Sequence, residues 1–190
     1  MILVIDTSST IAAVATIGGG SSTVQFIPSR DPALIAELNR IARATTITKV
    51  AVATGPGSFT GLRKGVSFGL GLAMGLRIPI VPLPTLELQA ARSMEPVTAI
   101  SEAGRGRFYY LVPRGEPGLG EPAEIPTTYP LVGVRTPAAE GAFEAAGHTF
   151  KPESELRPFP EAAAHLLKTA REVPYDSLKL EYMQTFSARK

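Results

Sequence analysis

The sequence contains no cysteine. That excludes disulfide staples, thiolate metal sites and a cysteine nucleophile, and it suits a reducing cytoplasm. There is no tryptophan, and the two histidines are His148 and His165. They lack the close helical spacing and the companion carboxylates of zinc enzymes, so no metal site is expected. Aspartate is scarce as well: Asp6, Asp31 and Asp176 are all there is. Charge is low and unclustered, with a net +2 that divides into +3 over residues 1–95 and −1 over residues 96–190. Without a Lys/Arg cluster there is no electrostatic footprint for tight nucleic-acid binding by the chain alone. Long hydrophobic runs are missing too. Gly65–Leu76 is uncharged but too short to cross a bilayer. The first residues carry no cationic segment, and Asp6 interrupts the opening apolar run, so no secretory signal is expected.

What is present is a 190-residue chain that is 44% hydrophobic, punctuated by eighteen Gly and seventeen Pro. That length can bury a core and makes one domain or two small ones. Ile2–Asp6, Ile11–Ile17 and Thr23–Ile27 read as three short strands, joined by Thr7–Thr10 and by Gly18–Gly20, in a meander. Asp31 then caps a helix with Pro32 in its first turn, and Leu34, Ile35, Leu38, Ile41 and Ala42 recur at helical spacing. Val50–Ala53 is a buried strand, Gly55–Gly57 a tight loop, and Ser58 the cap of a helix to Leu76. A strand at Ile78–Val81 and a helix at Thr85–Arg92 follow. This order, three strands and then helix–strand alternation, is that of one lobe of an actin-like, ribonuclease H-like fold, although other α/β folds share it.

Past a boundary near Met94–Pro96, residues 97–112 read as two strands joined at Gly104–Gly106. A Pro/Gly-rich stretch runs to Pro137, and helices follow near Ala138–Ala146 and Pro160–Arg171. The expected division is a first lobe at 1–95 and a smaller second lobe at 96–190.

The segment GPGSFTGLRKG, residues 55–65, carries most of the information. It fails the spacing of a Walker loop, of a dinucleotide fingerprint and of a nucleophile elbow. What remains is a turn after a buried strand that opens a helix, whose first amides cap the helix or bind an anion. The helix is unusual. Gly61, Gly65 and Gly69 are four residues apart, and Gly71 and Gly75 repeat the spacing. Each interior Gly costs about 1 kcal/mol against Ala, so close packing has to offset the loss. Leu62, Val66, Leu70 and Ala73 form one stripe, and Phe68, Leu72 and Leu76 another. One side fits the sheet of its own lobe. The other fits either the Asp31 helix or a second protein.

GPGSFTGLR at 55–63 and ILVIDTSST at 2–10 resemble the hallmark segments of the TsaB family; PTLELQA at 84–90 is similar to its third helix, and EAGRGRFYY at 102–110 is a weaker match. The tail LEYMQ at 180–184 faintly resembles the family's ending. The resemblance implies an actin-like two-lobed fold of the sugar kinase, Hsp70 and actin superfamily, with a reduced second lobe. It implies a non-catalytic scaffold in the cytoplasm, needed with the catalytic partner TsaD and the ATPase TsaE for threonylcarbamoyl transfer to adenosine next to the anticodon of tRNA. TsaC or a relative supplies the activated group, and tRNA is met only through the complex. ATP and Mg²⁺ are expected in that complex and no cofactor on the chain alone.

The heterodimer would form through the Asp31 and Phe59 helices, with Phe59, Leu62, Arg63, Val66, Leu70, Leu34 and Leu38 as partner-binding residues. A homodimer through the same helices is the other use of that face. Departures from the family pattern include Arg30-Asp31 in place of a His, Lys64 at an apolar position and Glu102 in place of an Asp.

Asp6, Thr7 and Ser8 stand where actin-like folds meet phosphate and metal, and they are the candidate nucleotide-binding residues. A structural cap of the turn is an equal reading of Asp6. A reduced ATP-dependent phosphotransferase of the same fold is thus the alternative function, and an anion- or peptide-binding module the third.

Overall fold

The computed structural model describes residues 1–134, 136–181 and 183. Of the tail motif LEYMQ, Tyr182 and Gln184 lie outside them. The first sheet is built from β1 (Ile2–Asp6), β2 (Ile11–Gly18), β3 (Ser21–Pro28), β4 (Lys49–Gly55) and β5 (Ile80–Pro84) in the order β3-β2-β1-β4-β5. β1, β2 and β3 pair antiparallel, while β4 and β5 extend the sheet parallel to β1. Parallel neighbours need crossovers, and α1 (Ala33–Ala44) and α2 (Phe59–Leu76) supply them.

The apolar runs of β1 and β4 reflect burial on both faces. Leu3, Ile5, Val50 and Val52 point toward the side of Leu34, Leu38, Ile41 and Val66. Val4, Ala13, Ala15 and Ala51 point the other way, toward Leu88 and Phe159.

The second sheet has four strands, β6 (Thr98–Gly104), β7 (Arg107–Leu111), β8 (Gly118–Gly120) and β9 (Leu131–Val132), in the order β8-β7-β6-β9. The β6–β7 turn falls at Gly104, Arg105 and Gly106, all with positive φ, which suits the glycines. α3 (Thr85–Ala90) joins the two sheets, and α4 (Pro137–Ala145) closes the second core around Phe143. The chain past 96 does not stay with the second sheet. α5 (Phe159–Leu166) packs on the first sheet through Phe159 and Ala163. Val173 then bridges Ile80, and Leu178 and Leu180 lie against the core under α2.

Most expected elements are present with shifted ends. α1 begins at Ala33, yet Asp31 still caps it, its carboxylate accepting the Ala33 N–H at 2.8 Å. β5 starts at Ile80, two residues late, because the Ile78 N–H closes the end of α2 on the Ala73 carbonyl. The last helix stops at Leu166, well short of Arg171.

Candidate functional site

Two places bear on function: the cleft between the sheets and the outer face of α2. The cleft is bounded by the β1–β2 turn, the β4–α2 loop and the β6–β7 turn, and it encloses about 370 Å³. Asp6 lies behind its wall, 6% exposed. One carboxylate oxygen accepts the Ser8 N–H at 2.9 Å. Burial pushes this carboxyl above the ordinary range, and the bonds from Ser8 pull it back less strongly. The carboxylate is thus turned onto its own turn in the geometry of a cap.

Thr7 and Ser8 are occupied as well. The Thr7 hydroxyl donates to the Gly61 carbonyl at 2.7 Å, and the Ser8 carbonyl accepts the Ser58 N–H at 2.6 Å. Of the three candidate nucleotide residues, only Ser8 reaches the cavity lining. Among the described residues the charged ones lining the cavity are Arg30, Glu102 and Glu181. Burial, and then the nearby Glu87 carboxylate, raise the Glu181 carboxyl. The Glu181 N–H bonds the Thr54 carbonyl at 2.8 Å, so this C-terminal segment sits against the β4–α2 loop. Among the described residues no group of three or more His, Cys, Asp or Glu is placed to hold a metal ion.

α2 is locked to the β1–β2 turn by its glycines. A Cβ at Gly61 would stand 2.0 Å from the Thr7 carbonyl oxygen, and one at Gly65 2.2 Å from the Thr7 hydroxyl. A Cβ at Gly69 would meet Val52 at 2.4 Å. Those contacts are possible only without side chains, and they explain three of the helix glycines. Ser58 caps the helix, its hydroxyl accepting the Gly61 N–H.

This geometry corrects the expected partner surface. Leu34, Leu38 and Leu62 are fully buried and Val66 nearly so, all in the chain's own core. A helical stripe tells which side is buried but not by what, and here the sheet claims it. Phe59 and Arg63 are exposed and Leu70 is half-exposed, with the Arg63 guanidinium 3.9 Å above the Phe59 ring.

The outward stripe continues through Ser67, Gly71, Met74 and Gly75, all exposed. Nothing lies within 4 Å of a Cβ built at Gly71 or Gly75. The regular spacing of these two glycines was the signal for them, but it could not be told from that of the inward set. The contact at the C-terminal end of α2 was missed altogether. It is made by the C-terminal segment, in which the Tyr175 hydroxyl lies 3.2 Å from the Ala73 carbonyl and 2.9 Å from that of Ile78.

A meander extended by two parallel strands, with a smaller sheet across a cleft, defines an actin-like protein with a ribonuclease H-like first lobe. Two chains from Pseudomonas aeruginosa share this fold over nearly their whole length. YeaZ aligns with a TM-score of 0.69 at 18% identity, covering 96% of this chain and 99% of that one. A protein described as similar to peptidase YEAZ gives the same TM-score at 19% identity, with the same coverage.

Residues 32–116 match the family model described as TsaD, tRNA N6-adenosine threonylcarbamoyltransferase. The tRNA threonylcarbamoyladenosine biosynthesis protein TsaB of Bacillus subtilis is 33% identical over 120 residues, 57% of this chain and 52% of that protein. Its namesake in Escherichia coli is 35% identical over 88 residues, 42% and 38%. That of Haemophilus influenzae is 30% identical over 105 residues, 50% and 43%. The chain is thus similar to TsaB proteins at 30–35% identity over 42–57% of its length. It spans about half the length of the B. subtilis relative that it matches.

Proposed function

We propose that the chain is a scaffold subunit of a tRNA-modifying complex. In this reading it joins TsaD, and through it TsaE, for threonylcarbamoyl transfer to the adenosine beside the anticodon, and it contributes no reacting group. The observation that carries the reading is the outer face of α2. Phe59, Leu70 and Met74 flank a strip of Arg63, Ser67, Gly71 and Gly75 that lies open along the helix. A helix whose exposed centre is Ser and Gly, edged by apolar side chains, suits close approach by another helix. Burying that surface contributes roughly 25 cal/mol per Å², less the ordering costs of association.

The cleft supports the non-catalytic part of the reading. Asp6 and Thr7 serve the fold, and Glu102 and Glu181 outnumber Arg30. ATP and Mg²⁺ then belong to TsaD and TsaE in the assembled complex, in the cytoplasm. The test is transfer of the threonylcarbamoyl group to tRNA with TsaC, TsaD and TsaE supplied. Activity should depend on adding this chain, and Asp6→Asn should stay within a few-fold of wild type. Full activity with the chain omitted would refute the scaffold role. A hundred-fold loss with a folded, TsaD-binding Asp6→Asn protein would give the cleft a part in the chemistry.

The alternative, an ATP-dependent phosphotransferase, draws on the hydroxyls of Ser8, Ser9, Thr10 and Ser58 around the cavity. It requires a large thermal shift of the isolated chain with ATP and Mg²⁺.

A further inference from the structure

The cleft between the sheets is bordered by polar groups that the chain leaves unsatisfied. Tyr109 of β7 lines it and is only 6% exposed, yet its hydroxyl has no hydrogen-bond partner among the described residues. Ser101 of β6 stands directly opposite Tyr109 in the ladder, and its buried hydroxyl is unpartnered as well. Folded proteins seldom leave buried polar groups unpaired, and two side by side at a cavity wall point to a ligand that bonds there.

The charges at the cavity are unpaired too. Among the described residues the side chains of Arg30, Glu102 and Glu181 make no ion pair, although all three line it. The two signs come from different parts of the chain. Arg30 follows β3, and beside it lies the Ser58 end of α2, the positive end of an eighteen-residue helix. The Ser58 hydroxyl accepts the Gly61 N–H and keeps its own proton for a ligand. Glu102 comes instead from β6, and Glu181 from the C-terminal segment. Burial and the Glu87 carboxylate both disfavour charge on Glu181, and an ammonium beside it would offset both.

We propose that the cleft binds a free α-amino acid with a polar side chain, its carboxylate on Arg30 and the start of α2 and its ammonium on Glu102 and Glu181. One guanidinium matches one carboxylate, and only a ligand that carries both signs answers both kinds of charge. Thr10 and Tyr109 offer hydroxyls to the polar side chain. The cavity, at about 370 Å³, stands at the small end of ligand sites, which run from roughly 300 to 1,000 Å³. The outer face of α2 from Arg63 to Gly75 takes no part, so the binding is independent of the scaffold role.

Calorimetric titration of the chain with L-serine, L-threonine, L-asparagine and L-glutamine tests the proposal. At least one should bind with one-to-one saturation. Its N-acetyl and carboxamide derivatives each lack one charge and should bind at least ten-fold more weakly. Arg30→Ala should weaken the amino acid ten-fold and leave it no tighter than the carboxamide. Glu102→Gln should do the same relative to the N-acetyl form. Both residues are exposed, so both variants should melt as wild type does. Tyr109→Phe separates binding from folding. A hydroxyl without a partner adds nothing to the stability of the free chain, so this variant should melt no lower than wild type yet bind at least five-fold more weakly. No saturable heat with any of the four amino acids would overturn the proposal. So would equal affinity for an amino acid and its carboxamide, or a Tyr109→Phe protein that binds as wild type does. These variants leave the Arg63–Gly75 face intact, so their failure and a failure to bind TsaD are separate results.

Discussion

The two faces of α2 use the same residue at the same spacing for opposite ends. Inward, Gly61, Gly65 and Gly69 let the helix touch Thr7 and Val52. Outward, Gly71 and Gly75 touch nothing. The inward glycines are explained by the fold of the single chain. The outward ones cost helix stability with no return inside the chain, and a partner is what would use them. Four-residue spacing in a helix therefore marks a close approach without telling whether the neighbour is a sheet of the same molecule or a surface of another.

This contrast can be broken from either side. Gly61→Ala should have the largest effect on the isolated protein. Its Cβ would collide with a backbone carbonyl that cannot swing aside, so a loss of about 3 kcal/mol is expected, at the upper end for overpacking. Thermal melting should show a drop of roughly 6–12 °C for a chain of this size. Ser58→Ala removes the hydroxyl that caps the same helix. It should cost about 1 kcal/mol, read by denaturant titration. Gly71→Ala should reverse the sign and stabilise by up to about 1 kcal/mol, since a methyl there meets open space and favours the helix. A destabilised Gly71→Ala protein would mean that the outer face is already engaged by this chain.

The smallest effect concerns the turn beneath the helix. Burial raises the Asp6 carboxyl above its unfolded-chain value of about 3.8. Its contribution to stability is therefore complete below that value and is lost as pH rises through the higher folded value. Asp6→Asn keeps an acceptor for the Ser8 N–H and cannot ionise. The variant should match or exceed wild-type stability at pH 7, and the difference should shrink toward pH 3.8. Urea midpoints at the two pH values measure it.

Much of this was legible in the sequence because local chemistry and pattern agreed. Asp31 and Ser58 both cap the helices they were expected to cap. The apolar runs of β1 and β4 became central strands, and Gly104–Gly106 became a turn. The path of residues 159–181 was not legible. Its return to the first sheet rests on Phe159 and Ala163, on the Val173 bridge and on the Tyr175 hydroxyl, contacts up to about a hundred residues distant that leave no periodic mark. The candidate site was half legible for a related reason. Pattern identified α2 as the helix that matters, but it assigned Leu34, Leu38, Leu62 and Val66 to a partner when the chain's own sheet and core hold them. Only the packing of the folded chain separates the buried stripe from the outer one, on which Phe59, Arg63 and Leu70 remain accessible.

The central claim is that the outer face of α2 receives TsaD. A calorimetric titration of cognate TsaD with wild-type chain and with Gly71→Leu tests it most directly, with thermal melting to establish that the variant is folded. A leucine at position 71 meets nothing within the chain but stands in the way of a helix docking there. The predicted result is an unchanged melt and an affinity at least a hundred-fold weaker than wild type. A folded Gly71→Leu protein that binds TsaD as tightly as wild type does would contradict the account.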